Sequence, residues 1–149
     1  MPALIRPLAI CLFSRADKIL VSEGFDPTKN EKFFRPIGGG IEFGEYAADT
    51  IVRETREELD ARVINPRYLF TLENLFVFNG EREHEIVLVY DAEFLDQTLY
   101  EREYLDGQET IDGEETNESF QAFWKSLDEL KNDPRPLYPD GLLERLSKL

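Results

Sequence analysis

Three glutamates within five residues, Glu54, Glu57 and Glu58, are the groups in this sequence best placed to do chemistry, and they follow a triple glycine, Gly38-Gly39-Gly40. Glu54 has like-charged neighbours at i+3 and i+4, and each such pair on a helix costs about 0.2–0.5 kcal/mol. A helix serving structure alone would gain from Lys or Arg at those positions. Two readings stand on these residues. A run of acids is most often a solvated helix face, yet clustered oxygen donors beside a glycine-rich turn are also what a hard divalent cation needs.

A helix over about 46–60 must present these carboxylates. At about 100° per residue, Ile51, Val52, Thr55 and Leu59 all fall within about 60° of Ala48, one stripe for a core, with the glutamates in a sector beside it. Arg53 and Arg56 can pair with Asp49, Glu57 or Asp60 without covering the acidic face. Upstream, apolar runs at about 4–14 and 18–25 flank Ser14-Arg15-Ala16-Asp17 and read as a hairpin, and 32–37 as a short strand. The glycine triplet reads as a turn that interrupts any regular element. Strands are expected at about 63–78 and 84–94, joined at Asn79-Gly80. The acidic, aliphatic-poor stretch 101–118 reads as a long surface loop. A strand at 120–127, a helical turn at 128–131 and a terminal helix at 140–149, with Leu142, Leu143, Leu146 and Leu149 on one stripe, complete a single mixed α/β domain over 1–149.

The spacing Gly39, five residues, Glu45, seven residues, Arg53-Glu54-Thr55-Arg56-Glu57-Glu58 resembles the Nudix box, whose pattern closes with Arg-Glu-apolar-any-Glu-Glu-any-Gly-apolar. All anchors up to Glu58 match. Gly38-Gly39, Glu42 and Gly44-Glu45 also match the commoner extended form. Thr55, Asp60 and Ala61 depart from the pattern, and none of the three removes a carboxylate. Asp60 stands where glycine would accept a left-handed backbone more readily.

The resemblance implies a Nudix-type α/β/α sandwich with a central mixed β-sheet. It implies a hydrolase that cleaves a phosphoanhydride bond in a nucleoside diphosphate linked to another moiety, or in a nucleoside triphosphate, with Mg²⁺ as cofactor and Mn²⁺ able to substitute. Glu57 and Glu58 would hold the metal, Glu54 would be a further ligand or the base, and Gly38 would offer its carbonyl. Arg53 would hold the glutamates in place through Glu45 and Glu57. A carboxylate outside the box completes the site in several branches of the family; Glu85, Glu114, Glu115 and Glu118 are the candidates, and Glu115 and Glu118 are favoured by their place before a late aromatic strand. Arg35 and Arg6 are candidate phosphate contacts, and Phe33, Phe34, Phe76 and Phe78 include candidate stacking faces, although aromatics at strand spacing are more often core. His84 is expected as a hydrogen-bonded strand residue, with no second His or Cys beside it for a zinc site. The alternatives are a module that senses a nucleotide without cleaving it and, more weakly, removal of an mRNA cap.

A net charge of −14 argues against a nucleic-acid track, because such binding is driven largely by basic neutralisation of phosphates. The single cysteine, Cys11, reads as core, and the apolar run 8–13 falls far short of the ~20 residues that span a bilayer. A cytoplasmic protein acting on a small nucleotide, as monomer or homodimer, is expected. Of its 31 acidic residues, seven lie between Glu42 and Asp60 and eight between Glu101 and Glu118. The second group is predicted to reach over the first.

Overall fold

The computed structural model describes residues 3–111 and 114–149, with the side chains at 110, 111, 114, 115 and 117 outside the description. The elements run β1 (Ile5–Leu12), β2 (Ser14–Arg15), β3 (Lys18–Asp26), β4 (Glu31–Gly40), α1 (Ala47–Leu59), β5 (Val63–Phe78), β6 (Glu81–Phe94), β7 (Tyr104–Ile111), β8 (Glu114–Ser126), α2 (Leu127–Asn132) and α3 (Leu142–Leu146). Ala9, Ile10, Cys11, Leu12 and Phe13 are all buried. A strand apolar on both faces belongs inside a sheet, where both faces can be covered. β1 accordingly pairs parallel with β6 and antiparallel with β4.

That placement corrects the expected long hairpin. Only Ser14 and Arg15 fold back on β3, with Leu20 N–H donating to the Phe13 carbonyl at 3.0 Å. The sheet order is β5-β6-β1-β4-β3-β8-β7, with β2 beside β3. β4 pairs with β3 through Glu31–Pro36 and with β1 through Ile37–Gly40, so one strand joins two half-sheets.

The glycine triplet therefore continues a strand and does not interrupt one. Its glycines are needed for approach: a Cβ on Gly38 would lie 2.2 Å from the Ala9 carbonyl oxygen, and one on Gly39 would lie 2.5 Å from the Glu54 carboxyl. The expected loop at 101–118 is likewise corrected, since most of it forms the β7–β8 hairpin. Leu105, Ala122 and Trp124 are buried inward, and Gly107 lies opposite Phe120, whose ring covers the space a side chain would take. Of the acids that made this segment look like a loop, Asp106 and Glu109 lie on the edge strand β7, where charge discourages pairing with another chain.

α1 covers one face of the sheet, packing Ile51 among Ala9, Cys11, Phe13 and Phe94, with the Phe13 and Phe94 rings stacked at 4.0 Å. α2 and α3 cover the other, through Leu130, Leu142 and Leu146 on Ile10, Val21, Phe34, Val87 and Val89. This is the α/β sandwich with a central mixed sheet. Val52 is 39% exposed, against expectation, and Thr50 takes a core place instead. The terminal helix is shorter than expected and leaves Leu149 exposed. Burial raises the Cys11 thiol well above its ordinary pKa. No described helix is long and apolar enough to cross a membrane.

α1 ends as its departure from the box requires. Asp60 takes the left-handed conformation (φ 51°, ψ 41°) and donates its N–H to the Arg56 carbonyl at 3.0 Å. Glycine holds that conformation without strain, and the Arg56–Asp60 contact at 3.7 Å is exposed and worth little. Asp60→Gly is therefore expected to raise stability by about 0.5–1 kcal/mol in urea unfolding. A loss of stability would show that the aspartate side chain contributes more than the strain it brings.

Candidate active site

Arg53 lies at the centre of the polar groups on α1. Its Nε donates to Glu45 Oε2 at 2.8 Å and its Nη2 to Glu45 Oε1 at 3.0 Å, a two-pronged pair. Nη2 also donates to the Gly40 carbonyl at 3.0 Å, while Nη1 reaches Glu54 Oε1 at 3.1 Å and Glu57 Oε2 at 3.2 Å. Glu45 additionally accepts from Thr50 Oγ1 at 2.6 Å and from the Glu42 N–H at 3.2 Å. The Arg53 hydrogen bonds hold the Glu45 carboxyl down at about 2, and the Arg53 pKa is raised in return. One guanidinium thus ties the loop before the helix, the end of β4 and two box glutamates together.

Glu54 is buried, at 8% exposure, against Gly39. It shares a hydrogen bond with Glu58, whose carboxyl is pushed up to about 10, first by burial and then by Glu54 and Glu109, with Arg35 opposing. Arg35 Nη2 donates to Glu109 Oε1 at 3.1 Å. Glu54, Glu58, Glu109, Arg35 and Arg53 all line one cleft of about 730 Å³, together with Gly38, Gly39 and Gly40. Glu57 accepts from Arg53 and is not on the cleft wall.

The other expected residues divide. Glu85 and Arg6 line the same cleft some way along β1, where Arg6 donates to Glu85 and approaches Glu83 at 3.9 Å. Burial raises the Glu85 pKa, and Arg6 and Asn74, both bonded to it, oppose that rise. Glu118 is exposed and away from the cleft, and the side chains of Glu114 and Glu115 lie outside the described residues. Glu109 is instead the acid from the second acidic segment that reaches the glutamates, and sequence reasoning missed it because a loop has no facing pattern to read. The Gly107–Phe120 pairing was the available signal, since glycine opposite an aromatic marks strand pairing. His84 lies on β6, as expected of a strand residue, and its Nε2 is buried with no hydrogen-bond partner among the described residues.

A model of the NUDIX domain family matches residues 4–146. The chain belongs to this family. With that membership goes the reaction class, pyrophosphohydrolysis of small nucleotide-linked substrates, and the family generally uses divalent metal ions. The fold is similar to that of a MutT NUDIX hydrolase from Burkholderia pseudomallei, at 21% identity and a TM-score of 0.61 over 91% of each chain. It is also similar to a NUDIX hydrolase from Nitrosomonas europaea, at 14% identity and a TM-score of 0.66 over 97% of this chain and 87% of that one. A third structure, an ADP compounds hydrolase, is 15% identical with a TM-score of 0.59 over 89% and 64%. None of the curated proteins compared with the sequence matches it.

Among the described residues no three carboxylates converge on one point as a closed metal shell. This Nudix site nonetheless suits a hard cation. Mg²⁺ is commonly held by one or two carboxylates, completed by waters and substrate phosphates, and Glu54 and Glu58 supply two oxygen donors whose mutual repulsion a cation would relieve. The Glu45–Arg53 pair gives a test of the scaffold under this pair of donors. A carboxyl depressed in the fold to about 2 from an ordinary 4.5 stabilises the protein fully above pH 4.5, and that contribution is lost as pH falls toward 2. Glu45→Gln is expected to be less stable than wild type at pH 7, with the gap narrowing between pH 4.5 and 2 in thermal melts. A gap that stays constant across that range would contradict the assignment.

Proposed function

We propose that the protein is a Mg²⁺-dependent hydrolase, with Mn²⁺ able to substitute, of nucleoside diphosphates linked to another moiety or of nucleoside triphosphates. The observation that carries this reading is the pair of cleft carboxylates, Glu54 and Glu58, of which Glu54 packs against the glycine backbone of β4 and is braced by Arg53. Glu54, Glu58 and the Gly38 carbonyl would hold the cation from the cleft wall, Glu57 would join them by turning from Arg53, and Glu109 is the carboxylate from outside the box. When bound, a divalent cation neutralises phosphoryl oxygens and lowers the pKa of water. In the hydrolysis a water oxygen bonds to phosphorus, the bridging P–O bond breaks, and the water's proton passes to a carboxylate. Glu54 is the acceptor we assign, because Gly39 and Arg53 fix it in place. Arg35, beside Glu109, is positioned to meet a phosphate.

The similarity to an ADP compounds hydrolase supports a nucleoside diphosphate substrate. No observation favours the non-cleaving module, for which loss of a box glutamate would be the expected sign. Residues 4–146 act as one unit in this reading, and a lone buried thiol suits a reducing cytoplasm. Purified protein incubated with Mg²⁺ and a panel of nucleotide sugars, dinucleoside polyphosphates and triphosphates should yield phosphate-ester products. Glu58→Gln should reduce kcat by more than about a hundredfold, and Glu57→Gln should do likewise. No turnover across the panel, or full turnover in both variants, overturns the proposal.

A further inference from the structure

The cleft continues away from the glutamates onto the surface of β5, β6 and β1, and a row of three polar side chains crosses it there. Asn74 on β5 is paired directly with Glu85 on β6, and Glu85 with Arg6 on β1. All three line the cleft. Asn74 is 3% exposed and Glu85 7%, so neither is a surface group left to water. Asn74 and Arg6 both donate to Glu85, which draws the three heads together. Asn74 Oδ1 is left buried without a partner among the described residues. A buried acceptor in that state costs stability until something donates to it.

Ordered across the strands, the row offers an acceptor at Asn74 Oδ1, an acceptor at the Glu85 carboxylate and donors at the Arg6 guanidinium. The complementary edge presents donor, donor, acceptor. Guanine carries that order across its exocyclic N2 amine, its N1–H and its O6. Adenine offers one donor beside a ring acceptor, cytosine one donor followed by two acceptors, and uracil a donor between two acceptors. Each of those sets a lone pair against a carboxylate or leaves Asn74 Oδ1 unpaired, which hydrogen-bonding sites reject strongly. Phe76, two residues on from Asn74, and Phe33 and Phe78 from the same cleft supply ring faces for a flat base.

The spacing agrees with the site already described. Arg6 lies three residues before Ala9, the residue paired with Gly39, and three strand residues span about 10 Å. A base on the Asn74 row would therefore leave a sugar and phosphates pointing toward Glu54 and Glu58. We infer that the Asn74–Glu85–Arg6 row selects guanine nucleotides, so that the substrate of this hydrolase is a guanosine diphosphate derivative or guanosine triphosphate. The inference rests on the hydrolase reading but can fail without it.

Binding measured by calorimetry separates the two, because it needs no turnover. Wild-type protein with Mg²⁺ should bind GDP about tenfold or more tightly than ADP, CDP or UDP. It should also prefer GDP to IDP, which lacks only the N2 amine, by about tenfold, and Asn74→Leu should bring that ratio near one. Equal wild-type affinities across the bases overturn the inference whether or not any of them is hydrolysed. So does a GDP-to-IDP preference that survives in a folded Asn74→Leu protein. If that variant does not fold, the wild-type comparison of GDP, IDP and ADP still decides.

Discussion

The geometry of the glutamate site depends on one guanidinium. Arg53 makes close polar contacts with Glu45, Glu54, Glu57 and the Gly40 carbonyl. Lysine could carry the charge there, but not the planar fork that fixes three carboxylates and a carbonyl in relation to one another. Glu54 is buried and Glu58 lies beside it, so the pair needs a fixed partner to hold its geometry. Arg53 supplies the positive charge that keeps Glu54 in place, while Glu58 has no arginine bonded to it among the described residues and its carboxyl is pushed up, first by burial and then by Glu54 and Glu109.

β4 makes the same point with backbone. Glu54 can lie over the strand only because Gly39 has no side chain, and β4 can approach β1 only because Gly38 has none. A strand built from three consecutive glycines is entropically costly, by roughly 0.5–1 kcal/mol per residue relative to alanine. The sheet holds it between two partners, which is where such a strand can persist. The negative charge of the whole chain becomes intelligible in part here, since β7 brings Glu109 beside Glu58 and so joins the two acidic segments at one cleft.

Local chemistry was what the sequence made legible. The box spacing, the stripe of Ile51 and Thr55, the Asn79-Gly80 turn and the apolar floor of the sheet are short-range patterns, and each has its counterpart in the structure. Three errors share one cause, which is that pairing between distant strands outweighed local composition. β1 reads as half of a hairpin until β6 is known to lie beside it. Gly38-Gly39-Gly40 reads as a turn until β1 is there to hold it extended. Residues 101–118 read as a loop because acids such as Asp106 and Glu109 on an edge strand look the same as acids in solvent. Val52 failed differently: the helix turned so that Thr50 and Glu54 took buried places, a rotation that no helical projection from apolar residues alone would choose.

The row on β5, β6 and β1 also explains why chemistry and selection can be read separately in this fold. The glutamates of the box and the glycines of β4 come from one helix and one strand close in sequence, with Glu109 of β7 beside them. The groups further along the cleft come from residues 6, 74 and 85, which only the register of three strands brings together. Asp26 helps to secure that end. Buried at 2% exposure, it accepts from the Thr28, Lys29 and Asn79 N–H groups and so ties the β3–β4 turn to the β5–β6 turn beside Phe33 and Phe78. A change at residue 74 would alter what the cleft accepts without touching the helix that holds the carboxylates. A change at residue 53 would loosen Glu45, Glu54 and Glu57 at once, since the same side chain carries the bonds to each.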